Sequence, residues 1–190
     1  MKISDLKIGV CMCGSFCTFK KAIEETEKIK AAGAEIKYIL SFNASSVDSR
    51  FGKAADFIER LKEISGSSPI MSLEDAEPVK QLFDIMAVCP CTGNTLAKIN
   101  SGTADTPVTL AVKAHMRNGL PVVLAPATND GLGGNFKNIA ELMNRKNVYF
   151  VPFGQDDFKE KPMSLMSDFT LLSDTILQAV CGRQIQPVLR

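Results

Sequence analysis

Apolar and polar positions alternate along this chain in blocks of two kinds. Residues 7–13 (KIGVCMC) are a nearly unbroken apolar run, as expected of a strand buried on both faces, and a Gly-Ser turn follows at once. Phe19, Ala22, Ile23, Thr26, Ile29 and Ala32 then recur at helical spacing, with Thr18 placed as an N-cap and Gly33 as a stop. Residues 35–42 (EIKYILSF) read as a second strand ending at Ser41, and Phe57, Ile58, Leu61 and Ile64 as a second helical face before a Gly-Ser-Ser-Pro break. A short helix is expected over residues 75–82, and a strand over 84–89 (DIMAVC). Pro107 suits the first turn of a helix over 108–117 that Asn118-Gly119 closes. Beyond it come a strand over 121–125, a helix carrying Phe136, Ile139, Leu142 and Met143, a strand over 148–153 and a last helix over 169–180. Strands alternating with helices predict right-handed crossovers and an α/β fold: a single-domain, doubly wound parallel sheet of Rossmann or flavodoxin type between two helical layers, spanning residues 1–190. Residues 154–167 (GQDDFKEKPMSLMS) have no period and are long for a connection, which marks a functional or mobile loop.

Composition narrows the function. Of 190 residues, 45% are hydrophobic and 23% charged, enough for a full core, and 22 Lys+Arg against 21 Asp+Glu leave no basic footprint for nucleic acid. The first residues place Asp5 and Lys7 before a short apolar run, and no apolar run approaches a membrane span, so neither a signal peptide nor a membrane protein is expected and the setting is cytoplasmic. Six cysteines and one histidine, without a C-x-x-C spacing, are read as buried free thiols, and no metal site is expected. Cys11 and Cys13, like Cys89 and Cys91, are two residues apart, so within a strand each pair should share a face. If their strands are neighbours the four thiols come close together, which leaves a redox role open.

Ligands of open parallel sheets bind beyond the carboxyl ends of the strands. There the sequence places Gly14, Ser15 and Phe16; Ser41; Thr92, Gly93, Asn94 and Thr95; and Thr128, Asn129 and Asp130. A dinucleotide site would need G-x-G-x-x-G after the first strand and an acidic residue ending the second, but position 12 is Met and the second strand ends in Ser. The small neutral residues suit a phosphate monoester held by backbone N–H groups, and therefore a mononucleotide. Each also has a plainer reading, Ser15 as a cap and Asn129 as a turn residue. Asp130 is the one carboxylate at these strand ends, weak grounds for a general base, and His115 falls within a helix.

The block CPCTGNTLAKINSGTAD (residues 89–105), followed by LAPATN (124–129), resembles the flavoprotein family of FMN-dependent cysteine decarboxylases and flavin prenyltransferases, whose pattern is P-A-S-A-N-T-x-A-K-x-A-x-G-x-A-D and then P-A-M-N. Gly14-Ser15 in the first turn extends the match, which covers most of the chain. The resemblance implies FMN, with Gly14, Ser15 and Phe16 on its flavin side, Ser41 closing the second strand end, and Thr92, Gly93, Asn94 and Thr95 at its phosphate or ring edge. It also implies that Asn129 sits near substrate. Two departures put decarboxylation in doubt: residues 71–81 lack the histidine that the decarboxylases carry there, and PATNDGLGG loses the Met and the M-W ending of the second motif.

Within the family, KIGVCMCGSFCTF, PCTGNTLAKINSGTADTPVTLAVKAH and LAPATNDGLGGN are most similar to the branch that serves endospore-forming bacteria, in the mother cell, by oxidising a dihydrodipicolinate-type dicarboxylate to dipicolinate. That similarity implies a companion A subunit carrying the nicotinamide-binding domain, so that NAD(P) enters only through the partner, and a homo-oligomer, trimer or dodecamer. Two other readings stay open: a stand-alone FMN-dependent decarboxylase or prenyltransferase, and a flavin-free interaction subunit.

Overall fold

The structure, a computed structural model, describes residues 1–77 and 82–190. Strands β1 (Lys7–Met12), β2 (Glu35–Leu40), β3 (Ile85–Cys91), β4 (Val122–Thr128) and β5 (Val148–Phe150) lie parallel in the order 2-1-3-4-5. Two short strands, β6 (Phe153–Gly154) and β7 (Leu165–Ser167), add an antiparallel extension. β4 divides its outer edge between them: Val122 to Leu124 pair with β5, whereas Ala127 and Thr128 pair with β7. The order reverses between β1 and β3, where doubly wound sheets open a ligand crevice.

Both faces of the sheet are covered, which is why the strands read as continuous apolar runs. On one face Val10, Met12, Tyr38, Ala87 and Ala125 pack against α1 (Phe19–Ala31), α3 (Ala54–Ser65) and α8 (Leu172–Val180). On the other, Cys11, Met86, Val88 and Leu124 pack against α5 (Gly93–Ser101), α6 (Pro107–Arg117) and α7 (Phe136–Met143). The three-layer α/β fold anticipated from the periodicity is therefore present. Tyr38 is fully buried, and its hydroxyl is satisfied by Thr26 at 2.8 Å, which in turn donates to the carbonyl of Ile23.

Several local expectations are corrected. Thr18 does not cap α1 with its side chain; its hydroxyl donates to the Ser15 carbonyl at 2.8 Å across a 3-10 turn, Phe16–Thr18. Residues 148–153 are not one strand, because Pro152 offers no N–H to continue the ladder and the chain redirects into β6. A short helix α2 (Phe42–Ser46), capped by Ser41, follows β2, and α4 spans Leu73–Ala76; the rest of the helix expected over 75–82 lies partly outside the described residues. Residues 154–167 are not a free loop but the β6–β7 hairpin, held by Leu132 N–H to the Met163 carbonyl at 2.9 Å. Among the described residues no helix is long and apolar enough to cross a membrane.

The cysteine expectation holds for Cys11 and Cys13, which share a face, and fails for Cys89 and Cys91. A register shift between Val88 and Cys91, spanning the cis Cys89-Pro90 bond, breaks the two-residue alternation. Cys89 faces the α1 side, whereas Cys91 joins Cys11 and Cys13 on the α5 side.

Candidate functional site

Two cavities open at the carboxyl ends of β1, β3 and β4. The larger, about 600 Å³, runs between the Gly14–Thr18 turn, the start of α5, the loop after β4 and the β6–β7 hairpin. Its size falls within the range of small-molecule sites, roughly 300–1,000 Å³. A smaller one, about 270 Å³, lies toward β2 and α6 and contains Ser41 and Thr95 together with Lys98, whose charge is matched by Asp105 at 2.8 Å. Gly14, Thr92 and Asn94 border both. Of the nine residues anticipated from sequence, Ser15, Phe16, Gly93 and Asn129 thus lie in the larger cleft, and Ser41 and Thr95 sit apart from Asn129.

The chemistry of these groups differs. Thr92 is the N-cap of α5: its hydroxyl accepts from Thr95 N–H and lies 3.1 Å from the Thr95 hydroxyl, so both are occupied within the turn. The N–H groups of Gly93 and Asn94 have no acceptor among the described residues, as expected for the first turn of a helix. Asn94 and Asn129 are exposed, and neither side-chain amide is engaged among the described residues; the same holds for the Ser15 hydroxyl. Ser41 instead accepts from Ala44 N–H as the cap of α2. Phe16 turns one face to Phe19, with ring centroids 5.3 Å apart, and so joins the cleft to the core.

Gly93 is set by close packing. A Cβ there would stand 2.3 Å from Asn135 Nδ2 and 2.7 Å from Thr128 Oγ1. Asn135 cannot easily yield, because it donates to Asp130 at 2.7 Å and accepts from the buried Asn138 at 3.0 Å. This polar chain backs the close packing of the α5 N-terminus against the loop after β4, and the two free amides line the same cleft as Asn129.

Sequence reasoning missed the far wall. Arg50 and Phe51 line it from the turn after α2, and Asp156 and Lys161 from the hairpin. Asp156 pairs with Lys161 at 3.7 Å; partial burial acts to raise its pKa, but the Ser164 hydroxyl, backbone amides and Lys161 together hold it below the ordinary carboxylate value. None of these residues belongs to a periodic segment. The only usable signal was the length of the 154–167 connection.

A family model described as Flavoprotein matches residues 1–181. The chain belongs to the flavoprotein family. It is 40% identical over 185 residues to the B subunit of dipicolinate synthase of Bacillus subtilis (strain 168), covering 96% of this chain and 92% of that protein. The crystal structure of the dipicolinate synthase B subunit from Bacillus halodurans superposes with a TM-score of 0.91 at 36% identity, over 100% of this chain and 98% of the other. The FMN-dependent cysteine decarboxylase SpaF, at 21% identity, a TM-score of 0.66 and coverage of 93% and 98%, shares the fold.

The four buried thiols of this flavoprotein do not form a reactive centre. Burial is the main reason that every one has its pKa raised, and neighbouring thiols add to the effect at Cys11, Cys89 and Cys91. Burial pushes Cys13 up to about 11, against hydrogen bonds with Thr95 and Thr92 that pull it down. They are protonated, packed side chains, whereas Cys17, at the cleft, and Cys181 are exposed. His115 is buried on α6, with Nε2 3.1 Å from the Pro121 carbonyl, and does not line the cleft.

Proposed function

We propose that this chain acts as the B-type component of a dipicolinate synthase, working with a nicotinamide-binding A subunit in the oxidation of a dihydrodipicolinate-type precursor during sporulation, in the mother-cell cytoplasm. The observation that carries this reading is 40% identity across nearly the whole length of both chains to a dipicolinate synthase B subunit. The chain's lack of a dinucleotide fingerprint supports it, since the hydride must then leave to a nicotinamide held elsewhere. In the net reaction the dihydro ring loses a hydride to NAD(P)+ on the A subunit and a proton to solvent. Asn129 is the proposed catalytic contact: its amide donates to a substrate carboxylate and orients the ring without titrating.

The donor set fits FMN. Free N–H groups at Gly93 and Asn94, the Ser15 hydroxyl and the Asn94 amide are neutral donors, and no acidic side chain occurs among residues 14–18 or 92–95 to repel a phosphate monoester. Gly14, Ser15, Phe16, Thr92, Gly93 and Asn94 would hold the cofactor, with Ser41 and Thr95 shaping the adjoining cavity. FMN, when bound, supplies an electron-accepting ring. Exposed apolar side chains on the elements that frame the cleft, including Phe42, Phe51, Leu132, Phe158 and Met163, support assembly of several copies, a trimer or a dodecamer. Light scattering tests that assembly, and a monomer would contradict it.

The test combines the purified chain with the A subunit, precursor and NAD(P)+, and follows dipicolinate by absorbance. Dipicolinate should form faster with the chain than without it, and an unchanged rate would refute the proposal. A stand-alone FMN-dependent decarboxylase, the fold of which SpaF exemplifies, would instead release carbon dioxide from a cysteine-like substrate with no partner. In an FMN titration the flavin spectrum should shift, with weaker affinity in Asn94→Ala. A chain that stays colourless yet accelerates the A subunit would be a flavin-free interaction subunit.

A further inference from the structure

The larger cleft holds four charged side chains, Arg50, Lys161, Asp130 and Asp156, of which the sequence marked only Asp130. Two of them cancel, since Lys161 pairs with Asp156 at 3.7 Å. Asp130 is engaged by Asn135 at 2.7 Å. Arg50 is different, because among the described residues its guanidinium has no carboxylate partner and no hydrogen-bond acceptor. It lies instead over the Phe51 ring, with Cζ 4.9 Å from the centroid.

The segment carrying Arg50 is built rather than loose. Ser49 and Gly52 exchange two backbone hydrogen bonds, at 3.0 and 3.1 Å, and the Ser49 hydroxyl accepts from Phe51 N–H at 3.1 Å. Gly52 sits against Phe57, where a Cβ would come within 2.9 Å of the ring. Phe57 packs edge-on against Phe19 with centroids 5.2 Å apart, and Phe19 against Phe16 of the first turn. A continuous aromatic stack therefore fixes the Arg50 turn relative to the loop carrying Gly14 and Ser15.

An unpaired guanidinium on a fixed turn, facing a cleft whose other cation, Lys161, is already paired with Asp156, is suited to a planar carboxylate that it can grip with two parallel N–H···O bonds. We infer that Arg50 is the residue that selects a dicarboxylate over a monocarboxylate, by taking the carboxylate not held by Asn129. The inference rests on the proposed dicarboxylate reaction. It divides the work of the cleft: the first turn and α5 hold a phosphate, Asn129 holds one end of the substrate, and Arg50 holds the other.

The test measures binding of pyridine-2,6-dicarboxylate and pyridine-2-carboxylate to the FMN-supplemented full chain by calorimetry, for wild type, Arg50→Lys and Arg50→Gln. Wild type should prefer the dicarboxylate, and Arg50→Gln should weaken it by about 10- to 100-fold while leaving the monocarboxylate within about threefold, as expected for losing a charge-assisted pair. Arg50→Lys should fall between, since it keeps charge but loses the fork. FMN affinity and the thermal midpoint, measured in parallel, should not move. Wild type without preference, or an Arg50→Gln variant that keeps it, would overturn the inference. So would a variant that loses FMN but not the dicarboxylate, which would assign Arg50 to the phosphate. If the wild-type chain accelerates the A subunit while these results go against Arg50, the inference falls alone; if it produces no acceleration, the functional reading falls with its own assay.

Discussion

Replacing Gly93 by Ala probes the contact that aligns the α5 N-terminus with the loop after β4. The new methyl carbon would lie 2.3 Å from Asn135 Nδ2 and 2.7 Å from Thr128 Oγ1, so Asn135 must move. Moving it breaks its 2.7 Å bond to Asp130 and its 3.0 Å bond from Asn138. An exposed charge-assisted bond contributes about 1.5 kcal/mol and a part-buried neutral one about 1 kcal/mol. Alanine's better helix propensity, weakened at the first helical position, returns about 0.5 kcal/mol. The net cost is about 2 kcal/mol, or a midpoint lowered by about 4–8 °C for a chain of this size. Urea unfolding of Gly93→Ala, Asn135→Ala and the double variant measures it. Because Asn135→Ala removes the nearer obstacle and leaves only the Thr128 hydroxyl to shift, Gly93→Ala should cost less in that background, giving a coupling of about 1.5–2 kcal/mol. A single-variant cost below about 0.5 kcal/mol, or an equal cost in both backgrounds, would refute the reasoning.

Two further outcomes follow from burial. Under native conditions near pH 8, Cys17 and Cys181 should react with a chromogenic disulfide reagent within minutes, and Cys11, Cys13, Cys89 and Cys91 only after denaturant is added; fast reaction of more than two thiols would contradict the packing. His115 has its pKa lowered, mainly by burial and against the pull of the Pro121 carbonyl and Asp84, and its Nδ1 has no partner among the described residues. The unfolded chain therefore binds the His115 proton more readily than the folded one, so its contribution is fully present above about pH 6.5 and is lost as pH falls below that value. Urea midpoints between pH 5 and 8 should drop on acidification in wild type and more shallowly in His115→Gln; parallel profiles would rule out the histidine.

The strands were legible because a sheet covered on both faces needs unbroken apolar runs, and residues 7–13 and 35–42 supply them. Alternation failed where backbone geometry intervenes. At Cys89 and Cys91 a register shift turns one thiol to each face, and at Val151-Pro152 the missing proline N–H ends the pairing that an apolar run alone would have extended. The strand-end clusters pointed to the right corner of the fold, yet could not separate Ser41 and Thr95 from the cleft of Asn129, since that depends on how α2 and α5 are capped. Arg50 was invisible because its position comes from a Ser49–Gly52 turn and an aromatic stack, neither of which has a period.

The central claim is that the cleft beyond β1, β3 and β4 serves dipicolinate formation. The most direct measurement is the rate of dipicolinate formation by the A subunit with wild-type chain, Asn94→Ala or Asn129→Ala, with complex formation followed by sedimentation in the same samples. Both variants should associate with the A subunit as wild type does while losing most of the acceleration. Undiminished acceleration by both would mean that the chain helps its partner through another surface, and would contradict the claim.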